Sequence, residues 1–249
     1  MWNDKTVSLI LPTYTERDVI RRVIEEFCAG GLVDEVVVCN NNAECGTDEE
    51  VAKTSARIVY EKRQGYGWAI QQGLSQAKGE LLVVAEPDGT FQGKDIIKLL
   101  AYADDFEVVM GTRTTRELIW QGANMDFSLR WGNFLVAKFL EFLFNTSQLT
   151  DMGCTMKLIN RGAYDKLKDK FRIGDSRFNC EFILWMAIIR LRFIEIPVNY
   201  SARSGVSTIT GNKIKAFCLG SRMFFLIAWY FLSHVFGNMR ERADRQRGE

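Results

Sequence analysis

The chain has 249 residues, 47% apolar and 25% charged, which is enough for one sizeable core with at most an appendage beside it. Its 32 Lys and Arg balance 31 Asp and Glu, so no overall field recommends nucleic acid as a partner and any basic site has to be local. A single histidine, His234, excludes a His-rich metal site or a His-based triad, and six cysteines without a C-x-x-C pair read as buried, reduced thiols.

Met1 to Lys5 lead straight into a strand pattern without the basic and apolar regions of a secretory leader, so a cytoplasmic location is expected. Short apolar runs rich in β-branched residues recur at 6–11, 35–39, 57–60, 80–85 and 106–111, with room for a helix between most of them. Ile20, Val23, Ile24 and Phe27 have helical spacing behind a capping-box-like start at Thr15 and Asp18, and a second helix can begin at Thr47 with Glu50 three residues on. Strand and helix in alternation predict a Rossmann-like α/β domain, its mostly parallel sheet covered on both faces. Beyond Gly111 a polar loop leads to a helix at 128–144, a strand at 155–159, a helix at 179–189 and a strand at 193–200. The last organised piece, 213–236, is apolar over most of its circumference and precedes a charged tail at 240–249. Domain bounds of 1–211 and 212–249 follow.

Ligands of such sheets lie at the carboxyl ends of the strands, which directs attention to the loops after Leu11, Cys39 and Ala85. The last of these reads Glu86-Pro87-Asp88-Gly89-Thr90. Two carboxylates two residues apart at a ligand-binding edge can hold Mg²⁺ or Mn²⁺ while diphosphate oxygens complete its shell. Pro-Asp-Gly is also an ordinary turn sequence, and acidic pairs near turns are usually solvated.

From Val7 to about Ser207 the chain resembles family 2 glycosyltransferases, especially the dolichyl- or polyprenyl-phosphate sugar transferases. The matching stretches occur in the family's order. Leu11-Pro12-Thr13-Tyr14-Thr15-Glu16 is similar to the first nucleotide-binding loop, Gly65-Tyr66-Gly67-Trp68-Ala69 to G-K-G-x-A, and Glu86-Pro87-Asp88 to the D-x-D metal motif. Gly111-Thr112-Arg113 is similar to G-S-R, and Asp151-Met152-Gly153-Cys154 with Lys157, Leu158 and Arg161 to D-x-x-x-G-x-K-L-x-x-R. Ile196-Pro197-Val198 and Arg203-Ser204-Gly205-Val206-Ser207 resemble the late E-V-P-V and R-x-x-G-x-S elements.

The resemblance implies a GT-A fold and inverting, metal-dependent transfer of a hexose from a nucleoside diphosphate sugar. Pro12, Tyr14, Glu16, Asn40, Asn41, Gly65 and Gly67 would line the donor site, with Glu86 and Asp88 on the metal and Asp88, Arg113, Arg203 and Asp151 as catalytic residues. The departures are specific. Cys39-Asn40-Asn41-Asn42 stands where paired aspartates are usual, Tyr66 replaces a lysine, Glu86 an aspartate, Thr90 a glutamine and Thr155 a glycine. An asparagine amide both donates and accepts, whereas a carboxylate only accepts, so the base of the nucleotide stays open.

A polyprenyl phosphate is already an anionic nucleophile and needs cationic positioning, for which Arg113, Arg116, Arg130, Arg203 and Lys213 qualify, with the hydroxyls of Ser128 and Ser207. A hydroxyl acceptor on a lipid-linked or surface glycan would need a general base, and Asp151 and Glu181 are the candidates. A binding or scaffold protein with a degenerate donor site is a third reading. A sugar nucleotidyltransferase would show a Gly-rich loop after the first strand, and 12–16 contains no glycine.

The apolar run from Met223 to Phe236 falls short of the roughly 20 residues that span hydrocarbon, and its basic neighbours suit a helix lying in a membrane surface. Packing on the domain or on a second copy of the chain is the alternative. The expected location is therefore peripheral, on the cytoplasmic face of a membrane.

Overall fold

The structure, a computed structural model, describes residues 1–123, 127–204 and 213–247, and for 127–128, 213–216 and 237–247 the backbone alone. Seven strands, β1 (Val7–Thr13), β2 (Glu35–Asn40), β3 (Arg57–Tyr60), β4 (Leu81–Val84), β5 (Val108–Thr112), β6 (Lys157–Asn160) and β7 (Phe193–Pro197), form one sheet in the order β3-β2-β1-β4-β6-β5-β7. Pairing is parallel except at β6, which runs against both β4 and β5. The helices are α1 (Arg17–Cys28), α2 (Thr47–Val51), α3 (Tyr66–Gln76), α4 (Ile96–Leu100), α5 (Phe127–Phe144), α6 (Arg161–Leu167), α7 (Phe178–Ile188) and α8 (Lys213–Arg247).

Because successive strand residues point to opposite faces, β1 divides its apolar side chains between two cores. Val7, Leu9 and Leu11 pack with Ile20, Val23, Ile24 and Phe27 of α1. Ile10 faces the other way, into a cluster that includes Ile70 and Leu74 of α3, Leu140 of α5, Phe178 and Phe182 of α7, and Met223 and Ile227 of α8. Fully burying a side chain of this kind contributes about 1.5–3 kcal/mol relative to leaving it in water. Gly73 permits the close seat of α3, since a Cβ there would stand 2.5 Å from Ile10 Cγ2.

The expected elements are present with shifted ends, α3 and α4 fill two of the gaps between strand runs, and α6 joins them. Helix α1 does not start with the Thr15–Asp18 box: Glu16 is the N-cap residue, and no side chain caps the helix. The seventh strand stops at Pro197, which has no N–H to donate to the ladder, and Tyr200 continues only as isolated bridges to Phe91 and Ile119. Buried thiols are found at Cys39, Cys154 and Cys180, whereas Cys45 and Cys218 are exposed. The boundary expected at 211–212 lies outside the described residues, as do Ser207 and the side chains of Ser128 and Lys213.

Helix α8 is longer than its apolar run. Phe217–Phe236 alone provides 20 residues of mean hydropathy 1.3, long and apolar enough to cross a membrane, because Lys213 and Lys215 fall outside it and Arg222 is its only Lys or Arg. One side of the helix nevertheless belongs to the domain. Phe224 meets Phe139 at 4.9 Å between ring centroids, Phe231 meets Phe144 at 5.6 Å, and the Tyr230 hydroxyl donates to Glu181 Oε1 at 2.9 Å. The outer side exposes Phe217, Phe225, Trp229, Leu232 and Phe236 at helical spacing, and α5 adds exposed Trp131, Leu135 and Phe142.

Candidate active site

Strand direction explains how motifs far apart in sequence reach one edge. Strands β1, β2, β4, β5 and β7 all deliver their carboxyl ends there, which places Pro12, Asn40, Glu86, Arg113 and Arg203 along it. Strand β6 is reversed, so the same edge receives the residues that precede it, Asp151 to Thr155. Val84 pairs with Lys157, and the register continued by two residues sets Glu86 across from Thr155.

Around the acidic pair, each carboxylate has one oxygen tied down and one turned inward. Asp88 Oδ1 accepts from the Thr90 N–H at 2.9 Å and the Thr90 hydroxyl at 2.6 Å, while Glu86 Oε1 accepts from the Thr155 hydroxyl at 2.6 Å. The second oxygens converge on one atom, Arg203 Nη2, at 2.7 Å from Glu86 Oε2 and 2.5 Å from Asp88 Oδ2. Gly89, at φ +78°, makes the turn that the Pro-Asp-Gly sequence predicts, and the Asp88 carbonyl accepts from the Ser204 N–H at 3.0 Å. Burial, reinforced by the charge of Asp88, pushes the Glu86 carboxyl up to about 6 against the opposing pull of Arg203 and Thr155.

Asp88 Oδ2 is buried and, though ion-paired with Arg203, accepts no aligned hydrogen bond. An orphaned acceptor of this kind calls for an explanation, and a second cationic partner supplies one. Two inward carboxylate oxygens meeting at a point are hard ligands that suit Mg²⁺ or Mn²⁺. Among the described residues no group of three or more His, Cys, Asp or Glu could surround an ion, so the remaining ligands would have to come from a bound phosphate and water.

The residues expected to line the donor site have intramolecular work. Pro12 is buried in β1, Tyr14 is exposed, and Glu16 folds its carboxylate back to accept from the Tyr14 and Thr15 N–H groups at 2.8 and 2.9 Å. Asn40 donates to Asp48 Oδ1 at 2.6 Å and accepts from the Ala43 N–H at 2.8 Å. Asn41 donates to the carbonyls of Glu61 and Arg63, each at 2.8 Å, and accepts from the Gly65 N–H at 2.8 Å. An aspartate could not make the two donations, which gives a physical reason for the amide at 41. Gly65 is the N-cap residue of α3, and Gly67 lies in its first turn. Both glycines let α3 meet the loop before α7: a Cβ on Gly65 would come within 2.3 Å of the Gly174 carbonyl oxygen, and one on Gly67 within 2.6 Å of Phe178 Cβ.

Arg113 and Asp151 form a closed pair. Asp151 accepts from Arg113 Nε at 2.8 Å, Nη2 at 2.9 Å and N at 2.9 Å, and from the Gly153 N–H at 3.0 Å. Burial would raise this carboxyl, but Arg113 and the N–H donors outweigh it and hold it below its ordinary value. The Arg113 guanidinium also lies 5.0 Å from the centroid of the Tyr200 ring. Glu195 accepts from the Thr150 N–H and hydroxyl, both at 2.7 Å, yet burial pushes it up to about 7. Glu181, fully buried, accepts from the N–H groups of Arg172 and Ile173 as well as from Tyr230. Lys157 is buried, donates to Asn179 Oδ1 at 2.7 Å and is pushed by burial down to about 8.

Thr90 and Thr155 emerge here as holders of the two carboxylates. In the sequence they mark only departures from a pattern, and the signal that could have found them is their company: two hydroxyls at two altered positions beside an altered metal motif.

The Glycosyl transferase family 2 model matches residues 8–168. The chain is 26% identical over 210 residues to the low-salt glycan biosynthesis hexosyltransferase Agl6 of Haloferax volcanii, covering 82% of this chain and spanning half the length of that protein. It is 24% identical over 229 residues to the dolichyl-phosphate hexose transferase of the same organism, covering 87% of this chain and 96% of the relative. A crystal structure of glucosyl-3-phosphoglycerate synthase from Mycobacterium tuberculosis with Mn²⁺, UDP-glucose and phosphoglyceric acid is similar at a TM-score of 0.69 and 14% identity, over 93% of this chain and 80% of that one. The expected GT-A fold is thereby met.

Proposed function

Because the chain belongs to glycosyl transferase family 2, we propose that it moves one hexose, with inversion, from a nucleoside diphosphate sugar to a polyprenyl phosphate, using Mg²⁺ or Mn²⁺ held by Glu86 and Asp88. The observation that carries this reading is the convergence of Glu86 Oε2 and Asp88 Oδ2 on a single point, held in this structure by Arg203 Nη2, which a divalent cation would displace. A divalent cation bound there would offset the negative charge on the departing diphosphate. An anionic oxygen of the acceptor phosphate forms the new bond to the anomeric carbon, the bond from that carbon to the donor diphosphate breaks, and the nucleoside diphosphate leaves with the electron pair. Arg203, moved off that point by the cation, would offset charge on the diphosphate beside the carboxylates. Arg113 spends two of its five N–H donors on Asp151, so Asp151 orients the guanidinium and the remaining donors serve the acceptor phosphate.

A phosphate acceptor is favoured over a hydroxyl because both candidate bases, Asp151 and Glu181, are buried and already accept several hydrogen bonds. The similarity to a dolichyl-phosphate hexose transferase over nearly the whole of that protein supports the same acceptor, and the likeness to an enzyme crystallised with Mn²⁺ and UDP-glucose supports the donor class and the metal. All six cysteines are free, which suits a cytoplasmic enzyme. The aromatic stripe of α8, extended by α5, would rest on the membrane surface where a polyprenyl phosphate presents its headgroup.

The test incubates the full chain with Mn²⁺, a panel of nucleoside diphosphate hexoses and vesicles containing a polyprenyl phosphate. The expected product is a hexosyl-1-phosphoryl lipid labile to mild acid. A glycosidic product stable to acid would assign a hydroxyl acceptor, and failure to bind any donor of a complete panel would leave a scaffold. Vesicle flotation should weaken in Phe225→Ser with Trp229→Ser; an unchanged flotation, or dimerisation lost in its place, would make the stripe an interface between copies of the chain.

A further inference from the structure

Three of the departures from the family pattern stand together in space. Glu86 replaces an aspartate, Thr155 a glycine and Tyr66 a lysine, and the Tyr66 hydroxyl is buried beside Thr155 and Asn179 without an aligned partner. A glutamate carboxylate hangs on one more rotatable bond than an aspartate carboxylate, so the backbone alone fixes its oxygens less well. A glycine at 155 would have nothing with which to hold it. The threonine does: its hydroxyl donates to Glu86 Oε1 at 2.6 Å, from the position directly across the reversed strand pair. Thr90 treats Asp88 Oδ1 in the same way, which leaves each carboxylate with one inward oxygen.

We propose that Thr155 is a positioning residue for Glu86: it fixes Oε1 so that Oε2 faces Asp88 Oδ2, and the pair Glu86 and Thr155 is interchangeable with aspartate and glycine only when both change together. The proposal rests on the reading of Glu86 and Asp88 as cation ligands. Partners that orient a metal ligand typically contribute about 10-fold or more to metal affinity, and this hydroxyl is such a partner.

The experiment titrates the full chain with Mn²⁺ alone, following the signal of free Mn²⁺ by electron paramagnetic resonance, and records melting temperatures in parallel. Thr155→Val, which keeps the shape and removes the hydroxyl, should bind Mn²⁺ about 10-fold more weakly with little change in melting temperature, and Thr155→Ser should bind like the parent. Thr155→Gly should lose affinity, and the double variant Glu86→Asp with Thr155→Gly should recover most of it. Parental affinity in both Thr155→Val and Thr155→Gly, or losses in the double variant that simply multiply those of its two single variants, would overturn the proposal. If Thr155→Val does not fold, the comparison of Thr155→Gly with the double variant decides. Asp88→Ala separates the two levels: parental affinity there defeats the reading of the carboxylates as ligands, whereas loss there with parental affinity in the Thr155 variants defeats only the role of Thr155.

Discussion

Two clusters of charge lie along the same sheet edge and are built to opposite ends. In the Arg113–Asp151 pair each carboxylate oxygen has its donors, so the carboxylate is closed even though Arg113 keeps N–H donors to spare. In the Glu86–Asp88 pair one oxygen of each residue is held by a threonine while the other is left to a single guanidinium nitrogen, and Asp88 Oδ2 lacks an aligned donor. A saturated buried carboxylate contributes to holding the fold and its own cation, whereas one left short could accept a further ligand. The Asn41 amide, with donors and acceptor all engaged, belongs to the first kind despite its place in a ligand-binding edge.

The sharpest way to break the contrast is to remove one member from each cluster. Asp88→Ala should lower transfer by on the order of a thousandfold, about 4 kcal/mol of barrier, with a melting temperature close to the parent. Transfer at the parental rate, with EDTA making no difference, would end the metal assignment. Asp151→Ala should do the reverse to stability: it leaves Arg113 charged, largely buried and unpaired, at a cost of about 3 kcal/mol measurable by urea unfolding. Asn41→Asp should cost about 1–3 kcal/mol, because a carboxylate would face the carbonyls of Glu61 and Arg63. A donor preference altered without loss of stability would return Asn41 to base recognition.

The smallest effect concerns Glu195, whose charge even a full set of donors does not quite offset. Its carboxyl is raised by burial to about 7 from an ordinary 4.5, so the folded chain holds its proton longer than the unfolded chain. Stability from this group is therefore greatest below pH 4.5 and is lost as pH rises to about 7. Glu195→Gln should remove that dependence, so that the difference in unfolding free energy between variant and parent grows between pH 5 and 8. Parallel curves would show that Glu195 titrates normally.

Legibility in the sequence followed the range of the interactions. Runs such as 6–11 and 57–60 are local patterns of apolar, β-branched residues, and strands form there at Val7–Thr13 and Arg57–Tyr60. Helix α4 is short and legible only as a gap between strand runs, and α6, also short, owes its stability to packing, so periodicity does not show it. At the candidate site, Glu86 and Asp88 stand out in the sequence because they leave a strand at the edge where ligands of such sheets lie. Their holders could not. Thr155 faces Glu86 only because β6 runs backwards, and a register between antiparallel strands is not written in either strand alone. Gly65 and Gly67 carried a motif whose local cause, the approach of Gly174 and Phe178, lies a hundred residues on.

Helix α8 enters the domain as a rigid mount. Met223 and Ile227 are part of the core and Tyr230 is tied to Glu181, so the aromatic stripe on its outer side cannot swing relative to the sheet as a tethered anchor would. On a bilayer the stripe would fix the tilt of the whole domain and the height of Glu86 and Asp88 above the lipid, and the headgroup of the proposed lipid acceptor would have to travel the rest. Deleting the helix would uncover Phe139, Phe144 and Trp185 and confound attachment with folding. Substitutions confined to Phe225 and Trp229 alter the mount's outer face and leave its seat in place.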